Sequence, residues 1–217
     1  MGHAIAYVDG LNLYYAIREM GWRQYLWLDI PALAKDVLAS LGGADILTAT
    51  KYFTSPMQNE PDRARRQALY IDALRTEPAL QVFPGNIKPF TKRCPHCHTA
   101  ILRFHEKQTD TGMTAEIVAD ALRDRFDTAI LITRDTDFVP AIRTVKTECP
   151  QKRVVLVRPP GTASWDELKT HCDEVVRLQS RRLARCQFPD EIVTPGGAIL
   201  RRPPEFSDEP LKAVPSS

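Results

Sequence analysis

An α/β fold built on a parallel sheet is predicted by three features of this chain. Short apolar runs recur along most of its length: "AIAYVD" at residues 4–9, "ILTATKYFT" at 46–54, "LQVF" at 80–83, "TAILIT" at 128–133 and "RVVLVRP" at 153–159. Several are continuous rather than alternating, which marks strands buried on both faces. Between them lie segments with helical spacing, long enough to cross the sheet and return the next strand parallel to the last. Helices then cover both faces, and a strand order of 3-2-1-4-5 is expected.

The elements follow in order. The first run ends at Asp9-Gly10, a turn pair, and Asn12 is placed to cap a helix running to about Met20. Leu33, Val37, Leu38 and Leu41 keep helical spacing and predict a helix over residues 31–40. The run at 46–54 is rich in β-branched and aromatic residues, hence a second strand. Pro61 stands where a first-turn proline belongs, ahead of "DRARRQALYIDALRT". Residues 84–109 carry Pro84, Gly85, Pro89 and Pro95 without a clear period, so an irregular insertion is expected there. "TGMTAEIVADALRDRF" and "FVPAIRTVK" predict helices on either side of the fourth strand, residues 164–171 a last helix and "EVVRL" a short edge strand. After Arg182, prolines at 189, 195, 203, 204, 210 and 215 predict an extension. The organisation expected is a domain over residues 1–182 and a Pro-rich extension over 183–217, partly docked or flexible.

At 217 residues the chain is long enough for one self-sufficient core. A net charge of +2 excludes a strongly basic nucleic-acid binder, so any basic surface must be local, as at Arg63, Arg65 and Arg66. No apolar run approaches the roughly 20 residues that a membrane helix needs, so no membrane partner is expected. "MGHAIAYVDG" lacks both parts of a secretory leader, and a cytoplasmic location is the expectation. Five cysteines, an odd number, argue for reduced thiols or a metal site rather than a disulfide framework.

Chemistry concentrates at strand ends. Asp9 closes the first strand, while Asp135 and Asp137 follow the fourth in "LITRDTDFVP". In the expected order these strands are neighbours, so three carboxylates share one rim, and Asp110, just ahead of the next helix, reaches it too. Like charges this close destabilise a fold unless a cation neutralises them. Mg²⁺ or Mn²⁺ takes oxygen ligands and bridges carboxylates to phosphate oxygens, which makes phosphodiester hydrolysis the matching chemistry. Glu116 is a further direct or outer ligand. Asp120 lies on the order of 15 Å along the helix from Asp110 and is structural or solvated. Taken one at a time, Asp9-Gly10 is also a turn and Asp137 also a helix cap; their coincidence on one rim favours the metal site.

"KRCPHCHTAILRFHEK" holds Cys94-x-x-Cys97, half of a tetrahedral zinc site. A structural Zn²⁺ is expected, with its other ligands drawn from His98, His105, Cys149 or Cys172. A haem attachment or a redox dithiol is disfavoured by the absence of an export signal and of a strand-to-helix setting. Lys51, Arg63, Arg65, Arg66, Lys88, Lys92 and Arg93 are candidates to flank a nucleic-acid groove. Trp22, Tyr25 and Trp27 read as core aromatics.

"YVDGLNLYY", "EKQTDTGMTAEIVADALRDRFDTAILITRDTDFVPAI", "KRVVLVRPP" and "QFPDEI" together resemble the NYN domain family, a branch of the PIN-like nucleases. The resemblance implies a Rossmann-like PIN fold and a metal-dependent endoribonuclease acting on single-stranded RNA. It assigns Asp9, Asp110, Asp135 and Asp137 to the metal and makes Asn12 a positioning residue. Arg134 and Glu116 depart from the family pattern, Arg134 being placed either to contact substrate phosphate or to crowd the site. The alternatives are a catalytically weak RNA-binding scaffold of the same fold, or a phosphoesterase of DNA or small nucleotides. The sequence neither requires nor excludes a homodimer.

Overall fold

The computed structural model describes residues 2–57, 60–93, 95–97, 99–161 and 166–207. In chain order the elements are β1 (His3–Asp9), α1 (Gly10–Glu19), α2 (Ile30–Ser40), β2 (Ile46–Thr54), α3 (Pro61–Leu74), β3 (Leu80–Pro84), β4 (Asn86–Arg93), β5 (Ala100–Lys107), α4 (Thr109–Leu122), β6 (Thr128–Ile132), α5 (Val139–Glu148), β7 (Arg153–Arg158), α6 (Asp166–His171), β8 (Glu174–Arg177), α7 (Ser180–Arg185), β9 (Glu191–Val193) and β10 (Ile199–Arg201). The main sheet has six strands, all parallel, in the order β3-β2-β1-β6-β7-β8.

This differs from the expected 3-2-1-4-5 in its strand count: β6 and β7 stand in the places expected of the fourth and fifth strands, β8, expected from "EVVRL" as an edge strand, makes a sixth, and the additional strands β4 and β5 stand outside the sheet. Period-two alternation divides the core into two layers. Ala4, Ala6 and Val8 of β1 face a cluster with α1, α2 and the C-terminal Leu183, Phe188 and Phe206. Ile5 and Tyr7 face another, made with Met113 and Ile117 of α4 and Ile142 and Val145 of α5. Both faces of the central strands are therefore dry, as their continuous apolar runs require.

Two local expectations change. Asn12 does not cap α1: Asp9 does, accepting the Asn12 backbone N–H at 3.0 Å, so the helix begins at once at Gly10. Only glycine fits there, because a Cβ would stand 2.4 Å from the Tyr52 ring. Residues 84–109 are not irregular either: β4 and β5 form an antiparallel hairpin whose ladder runs from Asn86–Lys107 to Arg93–Ala100.

The extension after Arg182 is docked as far as residue 207. Trp27 Nε1 donates to the Pro189 carbonyl at 2.8 Å, Phe188 packs edge-on against Trp27, and Phe206 is buried. Asp36 of α2 takes both Arg182 and Arg185 of α7. Among the described residues no helix is long and apolar enough to cross a membrane.

Candidate active site

The acids meet where the chain leaves β1 in one direction and β6 in the other, the point at which an open parallel sheet leaves a crevice beyond its carboxyl ends. Asp9, at the end of β1, is 6% exposed. Its Oδ1 accepts the Asn12 N–H, and Thr133 Oγ1 donates to its Oδ2 at 3.3 Å. Burial is the largest influence on this carboxyl, and the charges of Asp110 and Asp135 act in the same direction, so its pKa is pushed up to about 7 against the two hydrogen bonds. Asp9, Asp110 and Asp135 therefore share one electrostatic field. Asp110 is exposed in the first turn of α4, where the helix dipole favours a carboxylate.

Thr133 ties the group together and was not singled out from the sequence. Fully buried, it donates to Asp9 and accepts the Asp135 N–H at 3.1 Å, so one hydroxyl spaces two of the acids. The legible signal was a lone polar residue closing the apolar run "ILIT" at residues 130–133, directly after Ile132 at the end of β6. Asp135 in turn accepts the Asp137 backbone N–H at 3.0 Å, capping a single 3₁₀ turn over Thr136–Phe138. Asp137 is exposed, and what it brings to the cluster is that N–H. Asn12 Oδ1 accepts the Arg134 N–H at 3.2 Å and so fastens α1 to the loop that carries Asp135.

Three other expected site residues are engaged elsewhere. Lys51, read as flanking a groove, is 5% exposed, and its Nζ lies 2.5 Å from both Glu116 Oε2 and Asp120 Oδ2. Tyr7 Oη donates to the same Asp120 oxygen at 2.7 Å. A lone ammonium this deep would be costly, and the α4 carboxylates balance it. Glu116, expected as a metal ligand, thus faces a lysine, and Asp120 is a buried structural acid. Arg134, expected at substrate phosphate, forms a two-pronged pair with Glu19 at 2.7 and 2.8 Å.

The zinc expectation finds no support. Among the described residues no three His, Cys, Asp or Glu side chains are grouped to hold a metal ion. Cys94 and His98 lie outside the described residues, as do any facts of the His105 side chain. The hairpin register still separates His105 from the tip: it pairs with Lys88, five positions down the ladder from Arg93–Ala100. That is roughly 17 Å at about 3.3 Å per residue, too far to share an ion with Cys97. Cys149 is buried at the end of α5, and burial pushes the Cys172 thiol up to about 12.

The same absence of a three-residue group bears on the acids, which form no closed protein cage. A cage is not what Mg²⁺ requires, since it keeps several waters and binds through one or two carboxylates. Oxygen-only side chains around a buried aspartate are the donor type a hard divalent cation takes, and here Asp9 and Asp135 are linked through Thr133 while Asp110 acts on Asp9 by its charge.

On the other face of β1 and β2, Gly10 and Tyr52 form part of the wall of a cavity of ≈ 40 Å³. Tyr14 and Ile17 of α1, Tyr25, Leu28, Met57, Tyr70 and Phe206 complete its apolar lining, and half-buried Arg63, Arg66 and Gln67 of α3 supply its polar side. The Tyr52 phenol is raised first by burial and then by the charge of Asp9, which places cavity and acids side by side.

The NYN domain profile matches residues 4–179. A relative from Pseudomonas putida named 6-hydroxy-3-succinoylpyridine 3-monooxygenase is 25% identical over 240 residues, covering 94% of this chain and 75% of that protein. Among solved structures, a protein of unknown function from Vibrio parahaemolyticus matches with a TM-score of 0.49 and 16% identity, covering 82% of this chain and 94% of the other.

Proposed function

The chain belongs to the NYN domain family of nuclease-like domains, and from that membership and the acid cluster we propose that it is a metal-dependent endoribonuclease hydrolysing phosphodiester bonds of single-stranded RNA. The observation that supports this most is the convergence of Asp9, Asp110 and Asp135 at the β1–β6 crevice.

Asp9 and Asp135 would hold a Mg²⁺ or Mn²⁺ ion, with Asp110 at its side. Such an ion, when bound, neutralises the acids, binds a phosphate oxygen and lowers the pKa of a water. The chain's own residues do the rest. Thr133 keeps Asp9 and Asp135 at a fixed spacing. Asn12 holds the loop after β6 against α1. Asp137, exposed beside the cluster, is available to take a proton from an attacking water or to join the ion's ligands. Arg134 spends its guanidinium on the two-pronged pair with Glu19.

The test is cleavage of an unstructured oligoribonucleotide with and without Mn²⁺. Cleavage that needs the ion and is lost in Asp135→Asn supports the proposal; turnover unchanged by EDTA or by Asp135→Asn overturns it. Thr133→Val should keep the fold and reduce turnover by about 10- to 100-fold, the usual loss when a residue orienting a ligand is removed. The name of the Pseudomonas relative supplies a rival that the same preparation separates, because a monooxygenase consumes O₂ and a phosphodiesterase does not. RNA retained without cleavage would instead identify a binding scaffold, and cleavage confined to DNA or mononucleotides a different phosphoesterase.

A further inference from the structure

The β4–β5 hairpin has no place in the main sheet, yet both of its feet stand at the acid cluster. β4 starts two residues after β3 ends at Pro84, and β5 ends at Lys107, three residues ahead of Asp110. The Gly85 N–H donates to the Thr54 carbonyl at 2.8 Å, Asn86 Nδ2 donates to Gln108 Oε1, and the Ser55 and Thr109 hydroxyls share a hydrogen bond of 2.8 Å. Thr54 ends β2, and the residue before it, Phe53, is the register partner of Asp9. The base of the hairpin is thereby tied to the rim that carries the acids.

We propose that this hairpin is an RNA-binding arm, whose face bearing Lys88, Lys92, Arg103 and Lys107 takes successive phosphates of the single strand that is cut at the acids. The inference rests on the nuclease reading for the identity of the polymer, and on the hairpin alone for its path. Residues 85–108 hold five Lys and Arg against one acid, Glu106, a net +4 where the whole chain has +2, so the remaining residues sum to −2. Local charge of this kind is what attracts a polyanion to a chain that is nearly neutral overall.

The ladder sorts these charges. Directly paired residues of an antiparallel ribbon share a face, and the two faces alternate along each strand. Asn86–Lys107, Lys88–His105, Phe90–Arg103 and Lys92–Ile101 therefore stand on one face, and the alternate rungs, beginning with Ile87–Glu106, form the other. The first face has a cation at each of its four rungs and no acid. An ordinary solvated surface mixes the two signs, as along α3, where Arg63, Arg65 and Arg75 each pair with an acid three residues earlier. Rungs of one face repeat every two residues, about 6.6 Å, so the cations form a file about 20 Å long that leads away from Asp110. That period is close to the spacing of phosphates along an extended single strand, whereas a lone nucleotide reaches one rung only. Half-buried Phe90 sets an aromatic among the cations, the combination found in grooves for single strands. Phosphate contacts carry no base information, so the arm sets the path of the strand and not its sequence.

Binding of a fluorescent dodecauridylate to the full chain is followed by anisotropy over a range of KCl concentrations, with Ca²⁺ present to occupy the acids through their oxygens. For single strands log K falls with log[salt] by about 0.7 per phosphate neutralised, so the four rungs contribute a slope of about −3. The proposal expects Lys88→Gln/Lys92→Gln/Arg103→Gln/Lys107→Gln to lose most of that slope and at least tenfold in affinity at low salt. Arg23→Gln/Arg123→Gln/Arg143→Gln/Arg181→Gln, which removes the same charge from exposed positions elsewhere, should change affinity less than threefold. A wild-type slope shallower than about −2 overturns the proposal before any variant has to fold. An equal loss in the two variants also overturns it, as does polyglutamate that competes as well as unlabelled dodecauridylate. Hairpin-dependent binding without Mn²⁺-dependent cleavage would refute the nuclease reading and leave the arm standing. Cleavage of the dodecamer by the hairpin variant at the wild-type KM would do the reverse.

Discussion

Asp9 carries two duties that pull in opposite directions, and its protonation separates them. As the cap of α1 it is buried with Asp110 and Asp135 nearby, and burial first, then those charges, raises its pKa to about 7. In the unfolded chain it titrates near 3.9. Below about pH 4 both states hold the proton and this contribution is fully present. Between about 4 and 7 the folded state keeps a proton that the unfolded chain releases, so stability falls as pH rises through that window, by up to about 4 kcal/mol. The metal-free protein should lose melting temperature between pH 5 and 7.5, and Asp9→Asn should flatten that slope while melting higher at pH 7.5. Scanning calorimetry across the range checks both, and a wild-type profile that is flat or rising would contradict the burial argument. The carboxylate positions were legible in the sequence because acids at strand ends need an explanation. The geometry of Thr133 and Arg134 was not, because a hydroxyl or guanidinium partner more than a hundred residues away leaves no local pattern.

The element that fixes the site is α4, and its anchor is Lys51. This lysine on β2 reaches Glu116 and Asp120 on α4, while Tyr7 of β1 donates to Asp120, so three elements are joined by one buried polar group. Asp110, at the start of the same helix, is thereby held against β1. Lys51→Met leaves Glu116 without its lysine and Asp120 with only the more exposed Arg125 at 3.3 Å, and should cost about 3–5 kcal/mol in urea denaturation, with part of the loss recovered in Lys51→Met/Asp120→Asn. A Lys51→Met protein as stable as wild type would show that the network is ornamental. Sequence periodicity placed α4 and β2 correctly but read Lys51 as surface and Glu116 as a ligand, because a charged residue inside a strand is ordinarily solvent-facing. The hairpin was missed for a different reason. Its ladder ends at Arg93–Ala100, too far apart in sequence for a two-residue turn, and Pro89 stands inside β4, paired with Phe104, where a residue without an N–H argues against a strand, so the sequence signals of a hairpin are lacking.

For the whole molecule, strand order decides what meets. Continuous apolar runs separated by helices were enough to predict a parallel sheet, and from that the neighbouring of β1 and β6 that brings Asp9 to Asp135. The closing of the molecule by its C-terminal segment was less legible, since prolines announce an extended chain but do not say where it lies. Phe188 and Phe206 are its anchors, buried against the α1–α2 face, and Phe206 also walls the cavity behind Asp9. Phe206→Ala should destabilise the protein by about 3–5 kcal/mol, measured by chemical denaturation, whereas a change near zero would mean that the segment rests on the domain without supporting it. The central claim, that acids distant in sequence gather at the β1–β6 crevice to hold a divalent cation, is tested most directly by titrating Mn²⁺ into the wild-type protein, Asp9→Asn and Asp135→Asn at pH 8. One bound ion in the wild type, with affinity at least tenfold weaker in each variant, is the predicted result. Equal binding by all three folded proteins, or none by the wild type, would contradict it.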